Sequence, residues 1–216
     1  KIKKIWTNFY PNSIGLLYSS ITDYLGFEIN EGEFKVMSLS SFGKPIYEKE
    51  FNKIFDINNF VINMDYFEFH KSPNKSFSKK LCQVFGDPYL NISEEVNFKK
   101  YADIASSAQL ILENTMKNLI QKAMDLSGKS KIVLTGGVAL NCKMIHSLSK
   151  QDIFEEMIVP PSPGDSGSAI GAANFAFLVK SKKKILDFNS IFLGPKKKFI
   201  NKKESKDNFF SKINLT

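Results

Sequence analysis

The chain has 216 residues, 30 of them lysine or arginine against 22 acidic residues, and its net charge is +8 at pH 7. Every one of the basic residues is lysine, because the sequence contains no arginine. The charge excess would suit a nucleic acid, but lysine cannot read guanine or hold phosphate with two parallel hydrogen bonds as arginine does. We therefore do not expect nucleic acid as a partner.

The two cysteines and the hydropathy pattern indicate the cellular compartment in which we expect the protein. Cys82 and Cys142 are far apart and show neither metal-ligand nor disulfide spacing, which suits a reducing environment, and Cys142 is interpreted as a small packing residue. No apolar run reaches the length of a membrane span, and no signal peptide is recognisable. We expect a cytoplasmic protein that makes no membrane contact.

The first half of the chain predicts two helices. Apolar residues at helical spacing predict a helix over 12–25, which Asn12 or Ser13 can cap and Gly26 can end. A second helix is predicted over 31–39, before a turn at Gly43. Residues 61–69 alternate roughly and predict a strand. Residues 71–97, rich in Lys, Ser, Asn and Pro, are interpreted as a surface connection with little regular structure.

The second half predicts a βαβα unit. An apolar stripe predicts a long helix over 103–126, followed by a strand over 132–135, a helix to about residue 149, a strand over 157–159 and a helix over 168–179. A right-handed crossover would make the two strands parallel neighbours, with the loops that follow them at one edge of the sheet. Beyond residue 180 we expect declining order.

The two loops at that edge are the most informative feature. They read KIVLTGGVALN and VPPSPGDSGSAIGAANFAF, and each stands between a predicted strand and a predicted helix. Gly136 and Gly137 allow a ligand to approach the backbone closely, and Asn141 can hydrogen-bond a ribose or a base. The alternative is an ordinary tight turn, with Asn141 as a polar surface residue.

Asp165 lies between Gly164 and Gly167 at the predicted entrance of the last helix. A carboxylate is favoured there electrostatically, so a simple helix cap is one interpretation. The other is a metal ligand or a carboxylate beside a phosphate group, with the glycines leaving room for the ion.

Four blocks of the chain, in order, resemble the O-carbamoyltransferases of the nodulation and cephamycin type, the NodU/CmcH family. The first, SIGLLYSSITDYLGFEINEGEFKVMSLSSFG, is similar to the family pattern S-x-G-L-L-Y-S-x-x-T-x-Y-L-G-F followed by G-E-[YF]-K-x-M-G-L-A-x-[YF]-G. The others are YADIASSAQLILEN, the paired loops TGGVALNC and PPSPGDSGSAIGAA, and IFLGP. The resemblance covers roughly residues 12–195.

The resemblance implies an α/β fold of the actin-like ATPase (ribonuclease H-like) type, in which two lobes close over a nucleotide. Residues 1–195 would form the C-terminal lobe of the actin-like carbamoyltransferase domain. Residues 196–216 would be a lysine-rich tail or the start of a truncated C-terminal YrdC-like domain. The expected partners are the missing N-terminal lobe, with its His-x-x-x-His metal motif, and that YrdC-like domain.

The implied activity is ATP-dependent transfer of a carbamoyl group. It passes from carbamoyl phosphate through carbamoyl adenylate to a hydroxyl of a sugar or another small-molecule acceptor. The cofactors implied are ATP and a divalent metal, which could be iron, manganese or magnesium. Half of a two-lobed site should be inactive by itself.

Family roles transfer to individual positions. The positions that match nucleotide-binding blocks are Gly15, Gly136, Gly137, Val138, Asn141, Gly164 and Gly167. Asp165 matches the carboxylate that joins the two histidines of the other lobe around the metal. The chain departs from the family where Ile145 and His146 replace Asn-Gly, and no general base can be named.

Two alternatives remain open. A tRNA threonylcarbamoyl transferase shares the fold and the GGVA-x-N loop, but its second loop reads Asp-Asn-Gly where this chain has Gly164, Asp165, Ser166 and Gly167. A non-catalytic remnant or structural subunit is the other possibility.

Overall fold

The computed structural model describes residues 2–72, 75–89 and 95–182. The chain divides into two units, Lys1–Gly171 and Ala172–Thr216, and the boundary falls inside the last described helix. The α-helices are α1 Ile14–Tyr24, α2 Glu33–Leu39, α3 Glu48–Ile54, α4 Lys79–Phe85, α5 Glu95–Ser127, α6 Cys142–Ser149 and α7 Gly167–Ser181. The strands are β1 Phe55–Asp56, β2 Val61–Ile62, β3 Lys131–Val133 and β4 Glu156–Ile158. Short 3₁₀ helices are η1 Ser40–Phe42, η2 Met64–Tyr66 and η3 Gly137–Leu140.

The long helix α5 forms the centre of the first unit. It contacts α1, α2, α3, α6 and η1. The buried stripe on α5 confirms the predicted apolar face, and its members are Ile104, Ala105, Ala108, Ile111, Leu112, Met116 and Ile120. The helix begins at Glu95 rather than at Asp103, because Tyr101 and Ala102 extend the buried face toward the N-terminus.

The first helix follows the sequence prediction closely. The Ser13 hydroxyl accepts a hydrogen bond from the Leu16 N–H at 3.4 Å and caps α1. Gly26 follows the helix with φ 78°, a conformation that glycine adopts without strain. Leu17 and Ile21 are fully buried, so the predicted apolar face is the face that packs into the core.

Two predictions for the middle of the chain were wrong. The strand expected over 61–69 is only the two-residue β2, antiparallel to β1, because the Asn63 side chain accepts a hydrogen bond from the Asp65 N–H and turns the chain into η2. The connection expected over 71–97 contains α4 and the start of α5. Ser78 caps α4, and Leu81 and Phe85 are buried, so a short amphipathic helix lies within a polar composition.

Strands β3 and β4 pair in parallel, with Ile132 opposite Met157, which confirms the predicted βαβ arrangement. Within the described ranges each sheet has two strands. One face of the β3–β4 pair is uncovered by the described residues, since Val133 is 63% exposed and its partner Ile158 is 48% exposed. The first unit is therefore a mixed α/β structure in which helices supply most of the core.

Helix α7 has no buried residue among those described. In the described ranges, no helix combines the length and the apolarity that a membrane crossing requires. The predictions for 183–216, including the lysine-rich tail, fall outside the described residues.

Candidate functional site

The two glycine loops lie against each other in the first unit. The Gly136 N–H donates a hydrogen bond to the Pro163 carbonyl oxygen, with an N···O distance of 2.7 Å. A Cβ placed on Gly164 would lie 3.3 Å from Leu140 Cδ1, so the Leu140 side chain lies close to the Gly164 backbone. This adjacency follows from the parallel pairing of β3 and β4, which brings the ends of both strands to one edge.

The first loop presents bare backbone. Gly136 has φ 98°, and a Cβ placed on Gly136 or Gly137 would meet no atom within 4 Å. In the part of the chain that the structure describes, the N–H groups of Gly137 and Val138 donate to no protein acceptor. Open space in front of unpaired N–H groups suits an oxygen-rich ligand such as a phosphate or a ribose.

Gly15 lies beside the same loop. A Cβ at Gly15 would be 3.4 Å from Val138 Cγ2, so the N-terminus of α1 borders η3.

Cys142 and Lys143, which follow the loop, contact the block 33–43. The Cys142 sulfur lies 3.7 Å from the Met37 sulfur, and Lys143 Nζ donates to the Ser40 hydroxyl at 2.8 Å. Cys142 is exposed, so its interpretation as a small packing residue was wrong.

The second loop contains one glycine that the conformation of the loop itself requires. A Cβ on Gly167 would stand 2.1 Å from the Ser162 carbonyl oxygen, a distance that no side chain tolerates. Asp165 is exposed, and among the described residues its carboxylate has no hydrogen-bond or ion-pair partner. The same residues contain no group of three metal-ligating side chains. An unpaired carboxylate fits one position of a metal site, and the remaining ligands would have to come from outside the described ranges.

Asn141 is only 9% exposed, which excludes the alternative that it is a polar surface residue. Its Oδ1 accepts a hydrogen bond from the Met144 N–H at 2.9 Å and caps α6. The same side chain forms a pair of hydrogen bonds with Gln109 of α5. Gln109 Nε2 donates to Asn141 Oδ1 at 3.1 Å, and Asn141 Nδ2 donates to Gln109 Oε1 at 2.9 Å.

Two further residues belong to this buried network, and the sequence interpretation missed both of them as well as Gln109. The Tyr18 hydroxyl donates to Gln109 Oε1 at 3.0 Å, and Gln109 Nε2 donates to Glu113 Oε1 at 2.9 Å. Burial raises the pKa of Tyr18 well above the usual range of a phenol. A hydrogen bond with the Asn141 side chain acts against this increase, and the nearby Glu33 and Glu113 carboxylates act with it. The sequence contained one signal for this network, which is that Gln109 is a polar residue inside the apolar stripe of α5.

The loops, the α1 N-terminus and the block 33–43 thus converge on one edge of the first unit. Residues 2–174 match the family model described as the carbamoyltransferase N-terminus. The chain belongs to the carbamoyltransferase family. The match contains every block that meets at this edge, including both glycine loops, and so the resemblance deduced from the sequence is confirmed.

The chain is also similar to individual proteins. An uncharacterized protein of Synechocystis is 34% identical over 172 residues, which are 78% of this chain and 28% of the relative. Nodulation protein NolNO of Sinorhizobium fredii is 28% identical over 177 residues, 80% of this chain and 24% of the relative. Nodulation protein U of the same organism is 33% identical over 96 residues, 43% of this chain and 17% of the relative. The chain therefore spans about a quarter of the length of the first two of these relatives.

Proposed function

We propose that this chain forms one side of the nucleotide site of an ATP-dependent O-carbamoyltransferase with an actin-like ATPase fold. The reaction would transfer a carbamoyl group from carbamoyl phosphate, through carbamoyl adenylate, to a hydroxyl of a sugar or another small metabolite. The observation that carries the proposal is the family match over residues 2–174. The convergence of Gly15, the open glycine turn and the second loop supports it.

The open turn fits the nucleotide. The free N–H groups of Gly137 and Val138 would donate to ligand oxygens, and the bare Gly136–Gly137 backbone would admit them without steric conflict. Gly15 and Gly164 would border the turn on its two sides, since a Cβ placed on either glycine would contact a side chain of the first loop. These residues would bind and orient the adenylate while the acceptor approaches.

Asp165 would hold a divalent metal together with the two histidines that the family places in the other lobe. A metal there would neutralise phosphate charge and polarise the carbamoyl carbonyl. Asp165 suits this role because its carboxylate is exposed and has no competing partner among the described residues. We expect the other lobe and the YrdC-like domain to supply the remaining chemistry.

Asp165→Ala, made in the protein encoded by the complete gene, tests the metal assignment. We expect loss of the bound divalent metal and a large fall in carbamoyl transfer, with the melting temperature of the metal-free protein unchanged. Elemental analysis gives the metal content. Transfer is followed by mass spectrometry of a metabolite pool incubated with ATP and carbamoyl phosphate.

Asp152→Ala is the matched control, because Asp152 is an exposed aspartate in the turn after α6 and lies outside the paired loops. It should keep both the metal content and the transfer. Full metal occupancy in Asp165→Ala would remove Asp165 from the site. A wild-type protein that carbamoylates nothing in the pool and binds no ATP would contradict the proposed function itself.

A further inference from the structure

The Asn141 side chain has no hydrogen-bonding capacity left for a ligand. Its Oδ1 accepts from the Met144 N–H at 2.9 Å and from Gln109 Nε2 at 3.1 Å. Of the two hydrogens on Nδ2, one is donated to Gln109 Oε1 at 2.9 Å, and the other is directed at the Tyr18 hydroxyl oxygen. An asparagine side chain offers two donors and two acceptor positions, so all four are used inside the protein.

Tyr18, Gln109 and Asn141 form a closed ring of hydrogen bonds that joins α1, α5 and the start of α6. The Tyr18 hydroxyl donates to Gln109 Oε1 at 3.0 Å, and Gln109 Nε2 also donates to Glu113 Oε1 at 2.9 Å. All three side chains of the ring are buried. Reversing the Gln109 amide would place its oxygen against the Glu113 carboxylate, so the contacts permit one arrangement of the ring.

The ring acts on the open glycine turn because Asn141 ends that turn. The Asn141 N–H donates to the Val138 carbonyl oxygen at 3.1 Å, so the residue belongs to the turn through its backbone and to the ring through its side chain. Helix α1 borders the same turn, since a Cβ on Gly15 would lie 3.4 Å from Val138 Cγ2. Tyr18 lies one helical turn beyond Gly15 in α1. The ring therefore fixes the glycine turn relative to the helix beside it.

We propose that Tyr18, Gln109 and Asn141 are positioning residues that hold the glycine turn in its ligand-binding conformation, and that Asn141 makes no contact with the nucleotide. This inference rests on the proposed function, because the ligand is taken to be an adenine nucleotide. It replaces the role expected from the sequence, in which Asn141 hydrogen-bonds a ribose or a base. The turn then binds ligand oxygens through the backbone N–H groups of Gly137 and Val138, which the ring keeps ordered before the ligand arrives.

Two variants of the full gene product remove the ring and leave the residues of the glycine turn unchanged. Gln109→Met keeps the side-chain length and removes all the hydrogen bonds of Gln109. Asn141→Ser keeps a residue that caps helices well, but its side chain is too short to reach Gln109. Without the ring, the nucleotide has to order the turn as it binds. Ordering about one backbone residue should weaken ATP binding about fivefold to thirtyfold in each variant, as measured by calorimetry on the folded protein.

The double variant distinguishes positioning from direct contact. If Asn141 acts only through the ring, Gln109→Met combined with Asn141→Ser should bind ATP as Gln109→Met does, because the ring is already lost. A direct contact between Asn141 and the nucleotide would survive in Gln109→Met. A further loss of ATP affinity in the double variant would therefore overturn the proposal.

Gln121→Met is the matched control. It makes the same change on the same helix, at an exposed glutamine that bonds to Asp125, and should leave the ATP affinity unchanged. Folded Gln109→Met and Asn141→Ser proteins that bind ATP like the wild type would overturn the proposal, since the ring would then serve only the stability of the fold.

The turn can also be observed directly, with a milder variant and without a ligand. Tyr18→Phe removes a single hydroxyl, and glycine-selective nitrogen labelling reports on the Gly136 and Gly137 amides of the free protein. We expect sharp signals from both glycines in the wild type and in Tyr10→Phe, at an exposed tyrosine, and broadened or doubled signals in Tyr18→Phe, as the turn exchanges between conformations.

Equally sharp glycine signals in Tyr18→Phe would overturn the proposal, because the ring would then not order the turn. A wild-type protein that binds no ATP would instead contradict the proposed function, and the glycine signals of the free protein would still decide whether the ring positions the turn.

Discussion

Two buried tyrosines show how single residues couple this protein to pH. Tyr18 donates its hydroxyl to Gln109, and Tyr24 donates to the carbonyl oxygens of Gly86 and Asp87 at 2.9 and 3.1 Å. Burial raises the pKa of both phenols far above the usual range. Ionisation would remove a donated hydrogen bond and place a charge against acceptor oxygens, so both side chains stay protonated while the protein is folded.

The consequence is a loss of stability in alkali. In the unfolded chain a tyrosine ionises near pH 10, whereas in the folded chain Tyr18 and Tyr24 still hold their protons. The folded state therefore binds more protons above that pH, and the free energy of unfolding should fall by about 1.4 kcal/mol per pH unit for each of the two tyrosines. Below about pH 9 these groups should contribute no slope. Urea unfolding across this range measures the effect.

Phenylalanine variants show how much of the alkaline loss of stability each tyrosine causes. Tyr18→Phe and Tyr24→Phe should each lower the alkaline slope by about 1.4 kcal/mol per pH unit, while Tyr10→Phe, at a residue that is 66% exposed, should not change it. Burial also raises the pKa of Tyr47 and Tyr101, so a smaller slope should remain in the double variant Tyr18→Phe with Tyr24→Phe. A slope as steep as that of the wild type would mean that other groups cause the alkaline transition.

At the scale of elements, the backbone of Gly43 lies very close to the backbone of α5. A Cβ on Gly43 would stand 1.9 Å from the Ala102 carbonyl oxygen and 2.6 Å from the Asp103 nitrogen, both of them backbone atoms. The next residue is fixed as well, because the Lys44 N–H donates to Asp103 Oδ1 at 2.6 Å. The turn after η1 is thus held against a helix that cannot yield locally.

Gly43→Ala should therefore destabilise the fold by about 1–3 kcal/mol, the usual cost of overpacking, because the turn or the helix has to move. Gly137→Ala is the informative comparison, since its Cβ meets no atom within 4 Å and its stability should stay close to that of the wild type. Thermal unfolding of both variants gives the difference. Equal melting temperatures would contradict the close approach of the turn to α5.

The elements that could be predicted from sequence are those whose signal is local. The apolar stripe of α5, the Ser13 cap of α1 and the glycine turns are written in neighbouring residues, and all of them are present. Helix α4 was missed because its buried face consists of little more than Leu81 and Phe85 in a lysine-rich segment. The strand predicted over 61–69 failed because one side-chain cap, at Asn63, outweighs rough alternation.

The candidate site shows the same division. The position and the exposed backbone of the glycine loops could be predicted from their motifs, because backbone exposure requires glycine at particular positions, whereas the metal role of Asp165 stays a prediction. The role of Gln109 could not be recognised, because it depends on a contact with Asn141, 32 residues further along the chain. The role of a buried polar side chain depends on its hydrogen-bond partner, and sequence spacing does not show which residue that partner is.

At the scale of the whole molecule, the N-terminal segment is tied to the first unit although it forms no helix or strand. The Trp6 ring lies 5.5 Å from the Phe60 ring, and Lys122 Nζ of α5 lies 4.3 Å from the Trp6 ring centroid. Asn8 Nδ2 also donates to the Phe60 carbonyl oxygen at 2.9 Å. These contacts connect the segment both to the turn before β2 and to the central helix.

Because Trp6 is the only tryptophan of the sequence, its fluorescence reports on that attachment. In urea, the Trp6 transition of the 216-residue chain should coincide with the loss of helical circular dichroism, as expected when the segment and the core unfold as one cooperative unit. Lys122→Met removes a cation–π contact worth about 0.5–1 kcal/mol and should move the Trp6 transition to lower urea, while Gln121→Met should not. A Trp6 transition that precedes the helical one in the wild type would show that the segment detaches on its own, and the contacts with Phe60 and Lys122 would then be too weak to include it in the core.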